Sequence, residues 1–196
     1  MSEKENKNEV RETAKRMRAG AKALLGFHAA EEAAKHGLQL LSTLPPQSTI
    51  GAYWPIKDEL DPRFLMQMLE RHSFTLALPV VVDRSSALIF RRWGFGDPLE
   101  AGLFNTEQPI ADAPEVVPDA LIVPLLAFDE DCNRMGYGAG HYDRTLAAHP
   151  HIKAFGFAYA AQFVENVPTE AHDWPLQGVI TETGTVLPRK KTEAPV

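Results

Sequence analysis

The chain has 196 residues, of which 44% are hydrophobic, and a formal net charge of −6 at pH 7. This length and apolar content suit a single globular domain, so we expect disorder only at its ends. The acidic balance argues against a general nucleic-acid-binding protein, because such proteins need a basic surface to displace the counterions around phosphates.

The cellular location is predicted from the cysteine content and the distribution of apolar residues. The single cysteine, Cys132, cannot form an intrachain disulfide, which favours a reducing compartment. The first residues lack the apolar core of a signal peptide, and no stretch approaches the ~20 apolar residues of a membrane helix. We therefore expect a soluble, cytoplasmic protein.

The first region of the chain is predicted to be helical. It runs from about residue 7 to residue 42, and Gly20, Gly26 and Gly37 are the expected breaks between two or three helices. Residues 1–22 contain seven Lys or Arg and four Glu, a local net charge of about +3. Such a basic segment could meet a small anionic ligand.

Beyond this region, predicted strands and helices alternate. The hydrophobic runs predict strands at residues 49–54, 74–82, 87–93, 120–128, 154–159 and 178–182. Helices are expected at 61–70, with Asp61 at the N-cap and Pro62 at the first helical position, and at 142–148. Residues 94–118 have little periodicity and are predicted to be a long connection.

This alternation predicts an α/β fold. We expect a mainly parallel sheet, flanked by helices on both faces, in a single domain of residues 1–187 with a helical N-terminal segment. Residues 1–6 are expected to be disordered, and residues 188–196 to form a flexible basic tail.

A glycine-rich loop, Arg134-Met-Gly-Tyr-Gly-Ala-Gly-His-Tyr-Asp143, follows the most apolar predicted strand. Its alternating glycines allow backbone amides to approach an anion, and the helix after it would direct its positive end to the same place. Arg134 offers a cation for phosphate oxygens, and Asp143 offers a carboxylate for magnesium. The glycine spacing alone is equally compatible with a tight turn that only links a strand to a helix. The dinucleotide fingerprint is excluded because His141 replaces its last glycine, and a P-loop is excluded because Gly-Lys-Ser/Thr is absent.

Three other features resemble functional motifs but do not satisfy them. Cys132 has no sequence signature that pairs it with a base, so we do not expect a thiolate nucleophile. Residues 129–133 imitate the start of a calcium-binding EF-hand loop, but Arg134 stands where that loop needs glycine. The histidines of residues 149–151 lack the spacing and partners of a zinc site.

Residues 134–144, preceded by the apolar run 120–128, resemble the signature of the 5-formyltetrahydrofolate cyclo-ligase family. Further blocks resemble the family in the same order, and together they span about residues 7–183: Lys7-x-x-x-Arg11, Tyr53-Trp-Pro-Ile-Lys-Asp-Glu59, Leu78-Pro-Val with Phe90-Arg-Arg-Trp, and Val167-Pro-x-x-x-x-Asp173. The resemblance implies an enzyme that uses ATP to convert 5-formyltetrahydrofolate into 5,10-methenyltetrahydrofolate, with release of ADP and phosphate. Its partners would be small molecules, the reduced folate and ATP, and not a nucleic acid, a membrane or an obligate protein.

The resemblance also implies a role for individual residues. The ATP-binding residues would be Lys7, Arg11, Arg134, Met135, Gly136, Tyr137, Gly138, Ala139, Gly140, His141 and Tyr142. Of these, Arg134 and Tyr142 would be catalytic. The folate-binding residues would be Trp54, Glu59, Tyr137, Gly138, Ala139, Gly140 and His141. Asp143 and Asp173 would hold Mg²⁺.

Each of these roles has a simpler alternative. Lys7 and Arg11 have the i, i+4 spacing of a solvated helix face. Glu59 could be a charge at a helix entry. Trp54 could belong to the core, and Asp173 to a surface turn.

Three positions depart from the usual family pattern. Cys132 stands where the family commonly has glycine, so the turn before Arg134 could differ here. His141 stands where an aromatic residue is common and brings a titratable group near phosphate. Residues 105–109 only loosely match a Gly-Ile-x-Glu-Pro block.

A paralogue that keeps the nucleotide loop but handles another substrate, or acts as a regulatory binding protein, is the alternative to the enzyme. Glu59 favours the enzyme, because a divergent paralogue should lose its folate-side residues before its phosphate-side residues.

Overall fold

The computed structural model describes residues 3–170 and 173–189. Its helices are α1 (Glu3–Leu41), α2 (Arg63–Arg71) and α3 (His141–Ala148), with short 3₁₀ turns at Leu103–Asn105 and Ala160–Gln162. Its strands are β1 (Thr49–Gly51), β2 (Thr75–Val80), β3 (Ile89–Arg92), β4 (Leu99–Ala101), β5 (Glu107–Pro109), β6 (Glu115–Val116), β7 (Ala120–Pro124), β8 (Ala127–Phe128), β9 (Arg134–Met135), β10 (Lys153–Phe157), β11 (Gly178–Thr181) and β12 (Gly184–Val186).

Eight of these strands form one central sheet in the order β12-β11-β10-β7-β1-β2-β3-β6. The five strands from β11 to β2 are parallel, and the outer strands at both edges are antiparallel. The prediction of a mainly parallel sheet is therefore confirmed. Two small antiparallel pairs, β4–β5 and β8–β9, lie outside the sheet.

Helices cover both faces of the sheet, as predicted. Alternate residues of each strand enter different hydrophobic clusters, because successive side chains of a strand point to opposite faces. One cluster joins α1 and α2 to strand residues that include Leu76, Ile122 and Phe157. The other joins Leu146 of α3 to strand residues that include Ala77, Leu121 and Val123. Among the described residues, no helix combines the length and apolar character needed to cross a bilayer.

The N-terminal helical region differs from its prediction. The helical span Glu3–Leu41 is broken only at Gly26, whose φ of 54° and ψ of −139° are not helical. The breaks expected at Gly20 and Gly37 are wrong. At Gly37 a Cβ atom would lie 2.7 Å from the side chain of Leu65, so this glycine allows α1 and α2 to approach closely. The span begins at Glu3, inside the segment expected to be disordered.

The start of α2 also differs from its prediction. The helix begins at Arg63 and its N-cap position is Pro62, not Asp61. The Asp61 Oδ1 atom accepts hydrogen bonds from the backbone N–H of Arg63, at 3.0 Å, and from its guanidinium Nε, at 2.9 Å. Asp61 therefore stabilises the first turn from one position earlier than expected.

The predicted strands all exist but are shorter, and two regions hold additional strands. The run 120–128 divides into β7 and β8, and the connection 94–118 contains β4, β5 and β6, of which β6 extends the central sheet. Strand β12, at the opposite edge, was not predicted. Residues 190–196 of the expected basic tail lie outside the described residues.

Candidate active site

A cavity of about 710 Å³ opens at the carboxyl ends of β1, β2 and β7. Parallel α/β sheets commonly bind their ligands at this edge. Every site residue proposed from the sequence lines this cavity: Lys7, Arg11, Trp54, Glu59, Arg134, Met135, Gly136, Tyr137, Gly138, Ala139, Gly140, His141, Tyr142, Asp143 and Asp173. The structure thus brings together residues that are up to 166 positions apart in the sequence.

The glycine loop leads into α3, as the sequence predicted, but its first two residues, Arg134 and Met135, form the strand β9, which was not predicted. Gly138 and Gly140 have φ values of 96° and 69°, which residues with a Cβ atom rarely adopt. A Cβ atom at Gly138 would lie 3.4 Å from the Arg11 guanidinium, and one at Gly140 would lie 2.8 Å from the Arg144 guanidinium. Both positions need glycine for the backbone conformation, and Gly140 also allows the close approach of Arg144, whereas 3.4 Å at Gly138 is an ordinary van der Waals contact.

The cations of the cavity are held by carboxylates and backbone oxygens. Lys7 is 9% exposed and donates to Glu170 at 2.5 Å. The Arg134 guanidinium donates to Asp143 Oδ1 at 2.5 Å and also to the backbone oxygen of Trp174. Lys7 therefore does not belong to a solvated helix face, and that alternative is wrong for it.

Arg11 connects α1 to the glycine loop. Its Nε atom donates to the backbone oxygen of Gly136 at 3.4 Å, and its Nη1 atom donates to Asn8 at 3.0 Å. Arg11 thus adds a third cation to Lys7 and Arg134 among the residues that line the cavity.

Glu59 is a buried carboxylate that lines the same cavity. It is 6% exposed, and its Oε2 atom accepts a hydrogen bond from the backbone N–H of Ile56 at 2.9 Å. Burial raises the pKa of Glu59 to about 7, although the Ile56 N–H and nearby cations oppose this rise. Glu59 precedes α2 and is buried, which makes it more than a solvated charge at a helix entry.

Trp54 packs against the hydrophobic core and also borders the cavity. Its ring lies 5.6 Å from that of Trp93 in an edge-to-face arrangement, and the Arg63 guanidinium lies 5.1 Å from its centroid. It also lines the cavity. Trp54 is therefore anchored against the core and still offers an apolar surface to a ligand.

The two tyrosines of the loop are neutral hydrogen-bonding groups. Burial raises the pKa of Tyr142 far above its ordinary value, and burial also raises the pKa of Tyr137. Tyr142 can thus donate a proton in a hydrogen bond to a ligand oxygen but is not suited to act as a general base at neutral pH.

Sequence reasoning missed Arg18, which is 2% exposed. It lies behind the cavity wall, where its Nη2 atom donates to the Tyr137 hydroxyl at 2.5 Å. Residues 7, 11 and 18 of a helix fall on one face, since 3.6 residues make one turn. This helical periodicity was the sequence feature that could have identified Arg18.

Other cavity-lining residues that were not predicted are Tyr53, Ile56, Lys57, Pro79, Val81, Leu88, Phe104, Thr106, Glu107, Pro124, Pro168 and Glu170.

The turn before Arg134 keeps a glycine-like conformation despite the cysteine in it. Cys132 has a φ of 60° and is fully buried, and its Sγ atom contacts the Val186 oxygen at 3.6 Å. Burial raises the pKa of its thiol to about 11, and the residue does not line the cavity. These features agree with the expectation that Cys132 is not a nucleophile.

His141 begins α3 and faces the cavity. Its Nδ1 atom lies 2.8 Å from the backbone oxygen of Ser86, and its ring lies 6.1 Å from that of Phe104. Its Nε2 atom is buried without a hydrogen-bond partner among the described residues. His141 thus packs against an aromatic ring and leaves one nitrogen for a ligand.

The two carboxylates proposed for Mg²⁺ lie in the same cavity but do not form a complete metal site. The Asp143 Oδ1 atom accepts from Arg134 and from the backbone N–H of Trp174, and Asp173 Oδ2 accepts from the backbone N–H of Glu170. The part of the chain that the structure describes contains no group of three or more His, Cys, Asp or Glu side chains suited to a metal. Magnesium needs only one or two carboxylates when substrate phosphates supply further ligands, so the two residues fit a metal that binds together with ATP.

The structure explains the acidic motif of residues 129–133 by local folding. Asp129 Oδ1 accepts from the backbone N–H groups of Asp131 and Asn133, and Oδ2 accepts from Asn133 Nδ2 and the backbone N–H of Val167. The Asp129 side chain therefore stabilises the turn between β8 and β9.

Known proteins resemble this chain in sequence. Residues 3–182 match the model of the 5-formyltetrahydrofolate cyclo-ligase family. A 5-formyltetrahydrofolate cyclo-ligase of Haemophilus influenzae is 32% identical over 184 residues, which cover 90% of this chain and 97% of that protein. One of Escherichia coli K12 is 34% identical over 161 residues, which cover 77% and 88% of the two chains.

Two solved structures resemble the fold. A 5,10-methenyltetrahydrofolate synthetase of Aquifex aeolicus has a TM-score of 0.74 and 26% identity, and the match covers 97% of this chain and 96% of that chain. One of Mycoplasma pneumoniae has a TM-score of 0.72 and 22% identity, with 90% and 98% covered.

Proposed function

The chain belongs to the 5-formyltetrahydrofolate cyclo-ligase family, and we propose that it converts 5-formyltetrahydrofolate into 5,10-methenyltetrahydrofolate with consumption of ATP. One observation carries the proposal beyond family membership. Three cations, the glycine loop and the buried carboxylate of Glu59 all line one cavity. This arrangement supports the proposal, because the cations and the loop can contact phosphate oxygens while the Glu59 carboxylate can accept hydrogen bonds from a ring that carries N–H groups.

The reaction needs ATP because the formyl oxygen is a poor leaving group. The formyl oxygen attacks the γ-phosphorus, the bond from that phosphorus to the ADP oxygen breaks, and ADP leaves with the electron pair. N10 then attacks the formyl carbon and loses its proton. Finally the carbon–oxygen bond breaks, and inorganic phosphate departs with the former formyl oxygen. The product is the methenyl cation that bridges N5 and N10.

The protein's part in this chemistry is positioning and charge stabilisation. Lys7, Arg11 and Arg134 would contact phosphate oxygens, and the Tyr142 hydroxyl would donate to one of them. In the structure Lys7 is paired with Glu170, and Arg134 is paired with Asp143. The phosphates would thus join or replace partners that already hold these cations near the cavity.

Asp143 and Asp173 would hold the Mg²⁺ that accompanies ATP. The metal would supply neutralisation of the negative charge on the phosphates. Arg134 would hold Asp143 in position through their hydrogen bond.

Glu59 and Trp54 would bind the folate. A carboxylate accepts the paired N–H donors of a pterin, and an aromatic face packs against a flat ring. The glycine loop between the two groups of residues would place the formyl group next to the γ-phosphate.

The test is an assay with purified protein, 5-formyltetrahydrofolate, ATP and magnesium, in which methenyltetrahydrofolate is followed by its near-ultraviolet absorbance. We expect product only when ATP is present, and Arg134→Ala should reduce its formation strongly. The exposed Arg16, which lies on α1 outside the cavity, provides the control Arg16→Ala. ATP binding by calorimetry without ATP-dependent product would instead support the alternative, a paralogue with another substrate.

A further inference from the structure

Arg18 is a buried cation beside two residues of the cavity wall. Its Nη1 atom lies 3.9 Å from Glu59 Oε1, and its Nη2 atom donates to the Tyr137 hydroxyl. Its Nε and Nη1 atoms have no hydrogen-bond partner among the described residues. An incompletely paired guanidinium is unfavourable in a protein interior, so a merely structural role does not account for its placement.

We propose that Arg18 is a positioning residue, which favours the charged form of the Glu59 carboxylate and holds the Tyr137 ring at the cavity wall. The proposal rests on the proposed function, because it is that function which assigns Glu59 to the folate. Arg18 itself does not line the cavity, so it would act through these two neighbours.

Opposing effects determine the pKa of Glu59, and Arg18 is one of the groups that lower it. Burial disfavours its ionised form and raises its pKa to about 7, while the Ile56 N–H and the cations Arg18, Lys22 and Lys57 oppose that effect. Lys22 and Lys57 are exposed, and water and salt screen their charges. Arg18 is the buried cation of the set.

Glu59 also interacts electrostatically with the phenols of Tyr53, Tyr137 and Tyr142, whose pKa values are all raised by burial. They stay neutral near pH 7 and cannot replace the positive charge of Arg18. Without Arg18, the Glu59 carboxyl would hold its proton at neutral pH. It would then present an O–H donor where the folate offers N–H donors, and binding would weaken.

The second contact of Arg18 fixes the glycine loop. The Arg18 Cζ atom lies 5.4 Å from the centroid of the Tyr137 ring, in addition to the hydrogen bond to its hydroxyl. The Tyr137 side chain is otherwise partly open to solvent, with 42% of its surface exposed. Arg18 thus anchors one end of a ring that also faces the cavity.

The experiment compares Arg18→Gln, which removes the charge but keeps an N–H donor, with Arg18→Lys, which keeps a charge. Arg16→Gln is the matched control, because it removes an exposed arginine from the same helix. The titration of Glu59 is measured by ¹³C NMR of labelled carboxyl groups, with the signal assigned by its absence in Glu59→Gln. Should Arg18→Gln fail to fold, Arg18→Met takes its place, since an apolar side chain removes the unsatisfied donors as well.

We expect Arg18→Gln to raise the Glu59 titration midpoint by about one pH unit or more, the usual effect of losing a nearby opposite charge. Arg18→Lys should restore most of the difference, and Arg16→Gln should leave the midpoint unchanged. The KM for 5-formyltetrahydrofolate at pH 7 should rise by about fivefold or more in Arg18→Gln, with a much smaller change in kcat. A midpoint that moves from about 7 to about 8 lowers the ionised fraction of Glu59 from about one half to about one tenth.

An unchanged midpoint in the neutral variants would overturn the proposal, as would an equal shift in the Arg16 control. The NMR measurement needs no substrate. Failure of the proposed function would appear instead as absence of product from the wild-type protein, whatever the titration of Glu59.

Discussion

Replacing Glu59 with Gln should make the stability of the protein less dependent on pH. The carboxyl of Glu59 has an ordinary pKa of 4.5 and a raised pKa of about 7 in the folded state, chiefly because it is buried. Folding therefore favours the protonated form. Below the ordinary value this contribution to stability is fully present, and it is lost as the pH rises through the folded-state value.

The expected loss of stability follows from the difference between the two pKa values of Glu59. The two pKa values differ by about 2.5 pH units, and each unit corresponds to ~1.4 kcal/mol. Most of the loss falls between about pH 5 and about pH 8, where it amounts to roughly 2 to 3 kcal/mol in the free energy of unfolding. Gln carries no titratable group, so Glu59→Gln should lack this loss.

Urea unfolding followed by circular dichroism at several pH values across that range measures the difference between wild type and variant. The difference in the free energy of unfolding between wild type and Glu59→Gln includes a part that does not depend on pH, because the substitution leaves the Arg18 charge without its carboxylate partner. Only the change of the difference with pH tests the argument. The exposed Glu165 provides the control Glu165→Gln, for which we expect no comparable change. A difference between wild type and Glu59→Gln that stays constant from acid to alkaline pH would refute the assigned burial effect.

Two further predictions concern the glycine loop and the turn before it. Gly138→Ala should lower the free energy of unfolding by about 1 to 2 kcal/mol, because its φ of 96° is a conformation that residues with a Cβ atom rarely adopt. Gly136→Ala, whose Cβ atom would meet nothing within 4 Å, should lower it much less, and equal losses in denaturant unfolding would contradict this explanation. Cys132→Ala should keep the wild-type turnover in the methenyltetrahydrofolate assay, since the buried thiol lies outside the cavity, and a large loss of kcat would show that its role is misjudged.

The sequence predicted the parts of the fold that depend on local patterns. The alternation of strands and helices was sufficient for a mainly parallel sheet with helices on both faces. The order of the strands was not predictable in this way, because the position of β7 between β1 and β10 depends on packing across the whole domain. The short strands β4, β5 and β6 also escaped detection, since two or three residues are too few to show a periodic pattern.

The helix breaks show why a local pattern can mislead. The low helix propensity of glycine predicted a break at each of Gly20, Gly26 and Gly37, yet only Gly26 interrupts the helix. Gly37 is explained by its neighbour Leu65, which is distant in the sequence. The requirement at that position is space for a second helix, and a single sequence does not reveal it.

The glycine loop and its neighbours were predictable because their sequence motifs resemble those of a known family. The contacts of Arg18 were not predictable, because its partners Glu59 and Tyr137 lie 41 and 119 positions further along the chain. Its place on the same face of α1 as Lys7 and Arg11 indicated only that it could point toward the same region.

The groups that are unfavourable for folding are concentrated around the cavity. Of the buried polar atoms without hydrogen-bond partners in the described part of the chain, those of Arg18, His141 and Arg144 lie in or next to the glycine loop and the Glu59 wall. The buried carboxylate of Glu59 adds a further unfavourable group, as its raised pKa shows. A ligand with phosphate oxygens at one end and N–H donors at the other would supply partners for several of these groups at once. These groups lower the stability of the fold, and contacts with such a ligand would offset their cost. Substitutions that affect function more than folding are therefore expected at the cavity and not in the well-packed core on either face of the sheet.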